Sequence, residues 1–247
     1  MKSKVCEVAP DIYRLSTFYP EKGIQINQYL IKDDEPFLMH AGLRKTFRIS
    51  LQAVSSVIDT SKLRWIGFSH FEPDECGAMN DWFTVAPHAQ PACGIVGARV
   101  MMGDFADRPA KALEDNEVLK IGRHRLRYLS TPHVPHGWDA GLFFDEAEQT
   151  LLCSDLFFHP GDVPPTTESD ILGPAQQAVR ASLSGPMAHD MPYTPRTEST
   201  LRRLAALRPQ SLGLMHGSAF NGDGEKALLD LALIIKRTLG GEEAGNL

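Results

Sequence analysis

The sequence lacks the marks of several protein classes. No apolar run approaches the roughly 18 residues needed to cross a membrane as a helix. The opening residues Met1-Lys2-Ser3-Lys4-Val5-Cys6 have no apolar centre of the kind a secretory leader carries. There is no Lys/Arg-rich block, and the net charge is −6. Neither a membrane nor a nucleic acid is therefore expected as a partner. Cysteine is scarce: Cys6, Cys76, Cys93 and Cys153 stand far apart, with no Cys-x-x-Cys pair. That spacing argues against a disulfide framework and fits reduced thiols, so a cytoplasmic location is expected. No fixed-period repeat and no linker divides the 247 residues, and one domain spanning 1–247 is expected.

The composition, 43% hydrophobic and 23% charged, is that of an ordinary soluble globular chain. Residues 5–18 read as short strands broken at Pro10-Asp11, and 24–31 as another strand. Phe37-Leu38-Met39-His40 follows a turn. Phe47, Leu51, Val54 and Ile58 recur at helical spacing. Trp65 to Phe68 reads as a buried strand, 78–85 as a short helix burying Met79, Trp82 and Phe83, and 90–95 as a strand. Residues 103–116 read as irregular, 117–121 and 125–129 as a strand pair, and 131–139 as a Pro/Gly-rich loop. A hairpin at 141–154 and a loop at 159–175 come next. Helices near 175–184 and 197–207, a strand at 212–215, a helix at 224–239 and a frayed tail from Gly240 complete the pattern. Strand-rich halves with interleaved helices imply an α/β fold of two packed sheets with helices outside.

The chemistry concentrates where the Trp65 strand ends, in Ser69-His70-Phe71-Glu72-Pro73-Asp74-Glu75-Cys76. One histidine and three carboxylates fall within six residues. Their repulsion and desolvation need compensation, and a bound cation supplies it most simply. His133, His136, Asp155 and His216 each follow other apolar segments, so several strand ends can converge on one pocket. Mixed imidazole and carboxylate donors suit non-haem iron, with manganese and zinc as alternatives. Glu72, Asp74 and Asp155 bring three negative charges, or four with Glu75, so two divalent ions leave the cluster near neutrality and one does not.

The order His-x-Glu-x-Asp, then a loop His, then Asp after a strand, then a late His resembles the metallo-β-lactamase superfamily. Its first cluster usually reads His-x-His-x-Asp-His. Glu72 in place of the second His is similar to flavodiiron and oxygen-binding diiron proteins. The resemblance implies an αββα sandwich of two mixed sheets and a pair of iron ions at one edge. It implies His70, Glu72 and a loop histidine on the first iron, Asp74 and His216 on the second, and Asp155 bridging. For the loop histidine, His136 is favoured over His133 because it stands three residues before Asp139, the family's spacing. His133 is then expected beside the metals, acting on a ligand or on bound oxygen species. Glu75 replaces the family's sixth ligand, a histidine. Either it ligates, or it points away and leaves the second iron an open position. No flavin-binding partner domain follows within the chain. An external electron donor or a signalling partner is therefore implied, and a homodimer remains open. The implied activity is to bind, sense or reduce dioxygen or a related small gas. The alternative is two-metal hydrolysis of an ester, lactone, thioester or phosphoester.

Among the remaining residues, His40, His159 and Cys76 are candidates for supporting roles, and His88, His124 and His189 are expected at the surface. Phe71, Trp138, Phe157 and Phe158 flank the motifs and can wall the site.

Overall fold

The computed structural model describes residues 1–240; the tail expected to fray lies, beyond Gly240, outside the described residues. Two sheets of seven strands face one another. The first runs β1 (Lys4–Ala9), β2 (Ile12–Tyr19), β3 (Ile24–Ile31), β4 (Phe37–Met39), β5 (Trp65–Gly67), β6 (Gln90–Gly94) and β7 (Lys111–Leu113), in that spatial order. Its first four strands are an antiparallel meander, and β4 to β7 are parallel. The parallel pairs need crossovers. These are α1 (Phe47–Ser55) between β4 and β5, α2 (Pro73–Cys76) and α3 (Met79–Val85) between β5 and β6, and α4 (Met102–Phe105) before β7.

The second sheet is built from β8 (Val118–Lys120), β9 (Arg125–Ser130), β10 (Gly141–Asp145), β11 (Thr150–Ser154), β12 (Thr166–Thr167), β13 (Ser211–Leu214) and β14 (Ala219–Asn221). Its spatial order is β12-β14-β13-β11-β10-β9-β8. Helices α5 (Leu172–Ser182), α6 (Thr197–Ala205) and α7 (Gly224–Leu239) pack on its outer face.

Alternation along the strands produces the layers. In β11, Leu152 faces the opposite sheet while Leu151 and Cys153 face the helices. In β10, Phe143 points inward between Leu142 and Phe144, which point out. Across the interface Phe143 meets Phe37 edge-on at 5.0 Å. On the far side of the first sheet, Leu30, Leu38 and Ile66 pack against Val54, Met79 and Trp82 from the helices. Central strands buried on both faces explain the continuous apolar runs in the sequence, and each such Leu or Phe contributes roughly 1.5–3 kcal/mol. The result is the αββα sandwich expected.

Three local expectations change. Residues 103–116 contain β7, a three-residue edge strand held by parallel pairing to β6, too short to leave a pattern of its own. Within 159–175, β12 pairs with β14, and α5 begins at Leu172 with Pro174 in its first turn, where a missing N–H costs little. His124 is fully buried rather than exposed. Its Nδ1 lies 2.9 Å from Asp145 Oδ2, and its backbone N–H donates to Asp33 Oδ2 at 2.7 Å. His88 and His189 are exposed as expected. Among the described residues no helix is long and apolar enough to cross a membrane.

Candidate metal centre

The fold brings four strand ends to one edge, after β5, β9, β11 and β13. Chain leaving β5 places His70, buried, at the sheet's end. Glu72 is extended (φ −133°, ψ 159°) and immediately precedes α2, which opens on Pro73. Successive residues on a helix point about 100° apart. Asp74 and Glu75 accordingly diverge: Asp74 turns towards His216, and Glu75 turns into the interior.

His70, Glu72, His136 and Asp155 offer ligand atoms that all lie within 4.8 Å of one another. Asp155 Oδ2 is 3.4 Å from His70 Nε2 and 3.4 Å from His136 Nε2. Glu72 stands 3.2 Å from His136 Nε2 with one oxygen and 3.6 Å from His70 Nε2 with the other. The two imidazole rings meet edge-on at 4.2 Å. The second oxygen of Asp155 faces away from this group, 3.2 Å from His216 Nε2, which lies 3.7 Å from Asp74 Oδ2. Asp155 thus separates a four-residue group from a smaller group of Asp74 and His216.

Several of these atoms are buried without a hydrogen-bond partner: Nε2 of His70, Nε2 of His136 and Oδ1 of Asp155. Orphaned buried polar atoms are rare, and here they converge. The donor set fits a divalent cation of intermediate to hard character. Two of the remaining ring nitrogens are held. His70 Nδ1 is 2.7 Å from Ser69 Oγ, and His216 Nδ1 donates to the backbone oxygen of Gln25 at 2.7 Å. A carbonyl only accepts, so His216 carries its proton on Nδ1 and presents Nε2 to the centre.

The local field is strongly anionic. For Glu72, the adjacent imidazoles of His136 and His70 outweigh burial and lower its pKa to about 2. Burial pushes His70 down, but Glu75, Glu72 and Asp155 more than reverse this and raise it to about 10. His216 is raised to about 9, Asp155 and Asp74 overcoming burial. Asp155 is lowered, as the imidazoles of His216, His70 and His136, His216 foremost, overcome its burial. Asp74 is raised, chiefly by burial. Without metal, protons on the imidazoles balance the carboxylates, and a cation does the same job.

Of the other candidates, His133 is exposed, with φ of +65°. Glu75 is fully buried. Its Oε2 accepts from the backbone N–H of Ser69 at 2.6 Å and of His70 at 3.0 Å, and its Oε1 accepts from Ser154 Oγ at 2.7 Å. Burial raises the pKa of Glu75, while His40, His70 and the Ser154 hydrogen bond more than offset this and leave it lowered. His40 is buried with Nε2 at 3.3 Å from Glu75 Oε1. His159 is buried and bonded to Phe157 O. The Cys76 thiol is buried and its pKa lies well above the usual range, because burial and then Glu75 disfavour the thiolate. Phe158 lies edge-on to His216 at 5.2 Å, Phe157 is buried in the core, and Phe71 and Trp138 are exposed.

The sequence reading missed Ser69, Ser154 and Gln25 as supports. Ser69 precedes His70, and Ser154 precedes Asp155, so proximity to a ligand was a usable signal for both. Gln25 aims His216 through its backbone oxygen, which any residue would provide, so no signal existed. The loop carrying His136 is tied to the β5 end by Asp139, whose Oδ2 accepts the Phe71 N–H at 3.0 Å.

Above the centre opens a cavity of about 640 Å³ whose floor includes Glu72, Asp74, His136, Asp155 and His216. Phe158, Val179, Met187 and Met191 are among its walls, and Lys22 lines it too.

Residues 24–202 match the model of the family described as ODP family beta lactamase. A Thermosynechococcus vestitus protein provisionally named diflavin flavoprotein A 1 is 28% identical over 200 residues, 79% of this chain and 34% of that protein. The chain therefore spans about a third of that relative's length. Among solved structures, rubredoxin oxygen:oxidoreductase from Desulfovibrio gigas superposes with a TM-score of 0.79 at 19% identity, covering 93% of this chain and 61% of that one. The metal-soaked Flv1 flavodiiron core from Synechocystis sp. PCC6803 superposes with a TM-score of 0.77 at 21% identity, covering 100% of this chain and 63% of that one. The fold is the metallo-β-lactamase fold of flavodiiron cores, and the chain belongs to the ODP family of beta-lactamase-like proteins.

Proposed function

We propose that this chain is a non-haem diiron protein that binds dioxygen or a related small gas, and reduces it when an external donor provides electrons. The observation that carries the reading is the division of Asp155, one oxygen towards His70 and His136 and the other towards His216. A carboxylate so placed between two donor groups is arranged to bridge two cations. His70, Glu72 and His136 would hold the first iron, and Asp74 and His216 the second. When bound, an iron pair would supply accessible redox change, which zinc cannot.

The chain's own residues set the conditions. Glu72, Asp74 and Asp155 place anionic oxygens around the metals, which favours a higher iron charge. Glu75 lies in the interior behind His70, so the second metal has fewer protein donors than the first. Phe158 against His216 and the apolar walls above it offer an apolar approach for a diatomic gas. The name of the Desulfovibrio gigas neighbour, rubredoxin oxygen:oxidoreductase, pairs oxygen with rubredoxin.

The cavity favours a second reading. At about 640 Å³ it is far larger than a diatomic gas requires and falls within the roughly 300–1,000 Å³ of sites for organic molecules. Two-metal hydrolysis of an ester, lactone, thioester or phosphoester would use such space. Metal analysis of protein prepared without oxygen, with an absorption spectrum before and after air, separates the two. About two irons per chain and a new absorption band in air support the diiron reading. Stoichiometric zinc from iron-replete cells would overturn it in favour of the hydrolase.

A further inference from the structure

We infer that Glu75 is a positioning residue that fixes the proton of His70 on Nδ1 through Ser69. The inference rests on the metal-centre reading above, in which His70 is a ligand. Four protein donors converge on the Glu75 carboxylate. The backbone N–H groups of Ser69 and His70 occupy Oε2, at 2.6 and 3.0 Å. The hydroxyls of Ser154 and Ser69 occupy Oε1, at 2.7 and 2.9 Å. Ser69 and Ser154 are also 2.6 Å apart, so the Ser69 proton can alternatively point to Ser154. The ionised carboxylate is the strongest of the nearby acceptors, which turns the hydroxyl network towards Glu75 and away from His70. Ser69 Oγ, 2.7 Å from His70 Nδ1, is left as an acceptor there, and Nδ1 must be the donor.

The consequence falls on the other ring nitrogen. With the proton held on Nδ1, the lone pair of Nε2 is the one available towards Glu72 and Asp155, where Nε2 has no hydrogen-bond partner. Metal-bound histidines are commonly oriented by a carboxylate or carbonyl on the far nitrogen. Here a hydroxyl stands between the imidazole and the carboxylate, and Ser154 braces that carboxylate from β11, next to Asp155.

Glu75→Gln reverses the relay without changing its shape. The two backbone N–H groups demand an acceptor, so the glutamine oxygen takes the Oε2 place and its NH₂ faces the two hydroxyls. Ser69 then accepts from the amide, and its proton turns to His70 Nδ1. His70 is left with its proton on Nε2, facing the metals.

The test is competitive zinc titration of wild type, E75Q, S69A and H70A against a chelator, with circular dichroism to confirm folding. It is joined by nitrogen-15 NMR of His70 and zinc-edge X-ray absorption on the zinc-loaded proteins. E75Q is expected to weaken zinc roughly 10–100-fold, the usual effect of losing such a support. S69A, which keeps Glu75 on its backbone donors, is expected to weaken zinc as well. The wild type should show a His70 Nδ1 proton, and the number of zinc donors should be the same in E75Q. Unchanged affinity in both E75Q and S69A would overturn the inference while leaving the metal centre standing. Loss of an oxygen donor in E75Q would make Glu75 a ligand and overturn it too. Zinc held as tightly by H70A as by wild type would instead bring down the metal-centre reading itself.

Discussion

His216 Nδ1 donates to the backbone oxygen of Gln25 across 2.7 Å, so the last histidine of the centre is aimed by β3 of the opposite sheet. The same strand holds the loop on either side of it. Asn27 Nδ2 donates to the carbonyls of Leu214 and Gly217, each at 2.8 Å, and the buried Arg14 guanidinium donates to Gly217 O at 2.8 Å and to Gln25 Oε1 at 2.7 Å. Gly217, at φ +140°, gives this loop a conformation that side chains rarely adopt.

Asn27→Ala removes two of these bonds, while the Leu214 carbonyl keeps the Tyr29 hydroxyl at 2.9 Å and the Gly217 carbonyl keeps Arg14 at 2.8 Å. A cost of about 0.5–1.5 kcal/mol is expected for each bond lost. Denaturant unfolding should show that loss, and metal analysis should show the second metal retained less well than the first. Equal retention of both would mean that the loop is aimed by other contacts.

Asp155 and His216 should differ in what they remove. Asp155→Ala takes a donor from both groups and is expected to weaken both metals, whereas His216→Ala is expected to spare the first. Metal counts on the two purified variants decide the matter. A single metal kept by Asp155→Ala and none by His216→Ala would contradict a bridging Asp155.

Stability of the metal-free protein should fall on the alkaline side. Acidic neighbours raise His70 to about 10 and His216 to about 9 despite burial. A group whose folded pKa lies above its unfolded value stabilises fully below the unfolded value, here about 6.5. That stabilisation is lost as pH rises through about 9 and then 10. Melting temperature measured from pH 6 to about pH 10.5 should decline for the metal-free protein. Loaded protein should decline less, since the cation replaces the protons. A flat metal-free profile would show that the imidazoles are not charged in this way.

His136 and His133 should separate cleanly. His136→Ala is expected to strip or weaken the first metal. His133 is exposed in a left-handed conformation at φ +65°, which asparagine adopts readily, so His133→Asn should fold normally and keep both metals. Its effect is expected on reactivity with oxygen, followed by stopped-flow absorption. Metal loss in His133→Asn with retention in His136→Ala would reverse the two assignments.

The His124–Asp145 pair at the other end of the sheets is a purely structural control. His124→Ala leaves Asp145 Oδ2 without the imidazole at 2.9 Å and should cost about 1–3 kcal/mol. Metal content should not change. A variant that lost metal would show the two ends of the sandwich to be coupled.

Much of this molecule is written in local pattern. Leu151-Leu152-Cys153 and Leu142-Phe143-Phe144 are apolar on both faces, and only a central strand between two layers needs that. The motif from His70 to Asp74 was legible because cost concentrates there: carboxylates and an imidazole packed at a strand's end require a cation. The spacing of α7 gave its bounds, Gly224–Leu239, from leucine periodicity alone.

Tertiary structure decided the rest, because distance across the chain is not encoded in neighbouring residues. Nothing around His124 announced burial; it is buried because Asp145 and Asp33 arrive from two other turns to bond it. Glu75 could ligate or point away, the second being the favoured reading, and its direction followed from one turn of α2 and from the hydroxyl of Ser154, which stands 79 positions further along the chain. The pairing of Gln25 with His216 uses a backbone oxygen, which carries no sequence signal at all. The residues that chemistry makes expensive could be read in order, whereas the contacts that aim them exist only once the two sheets meet.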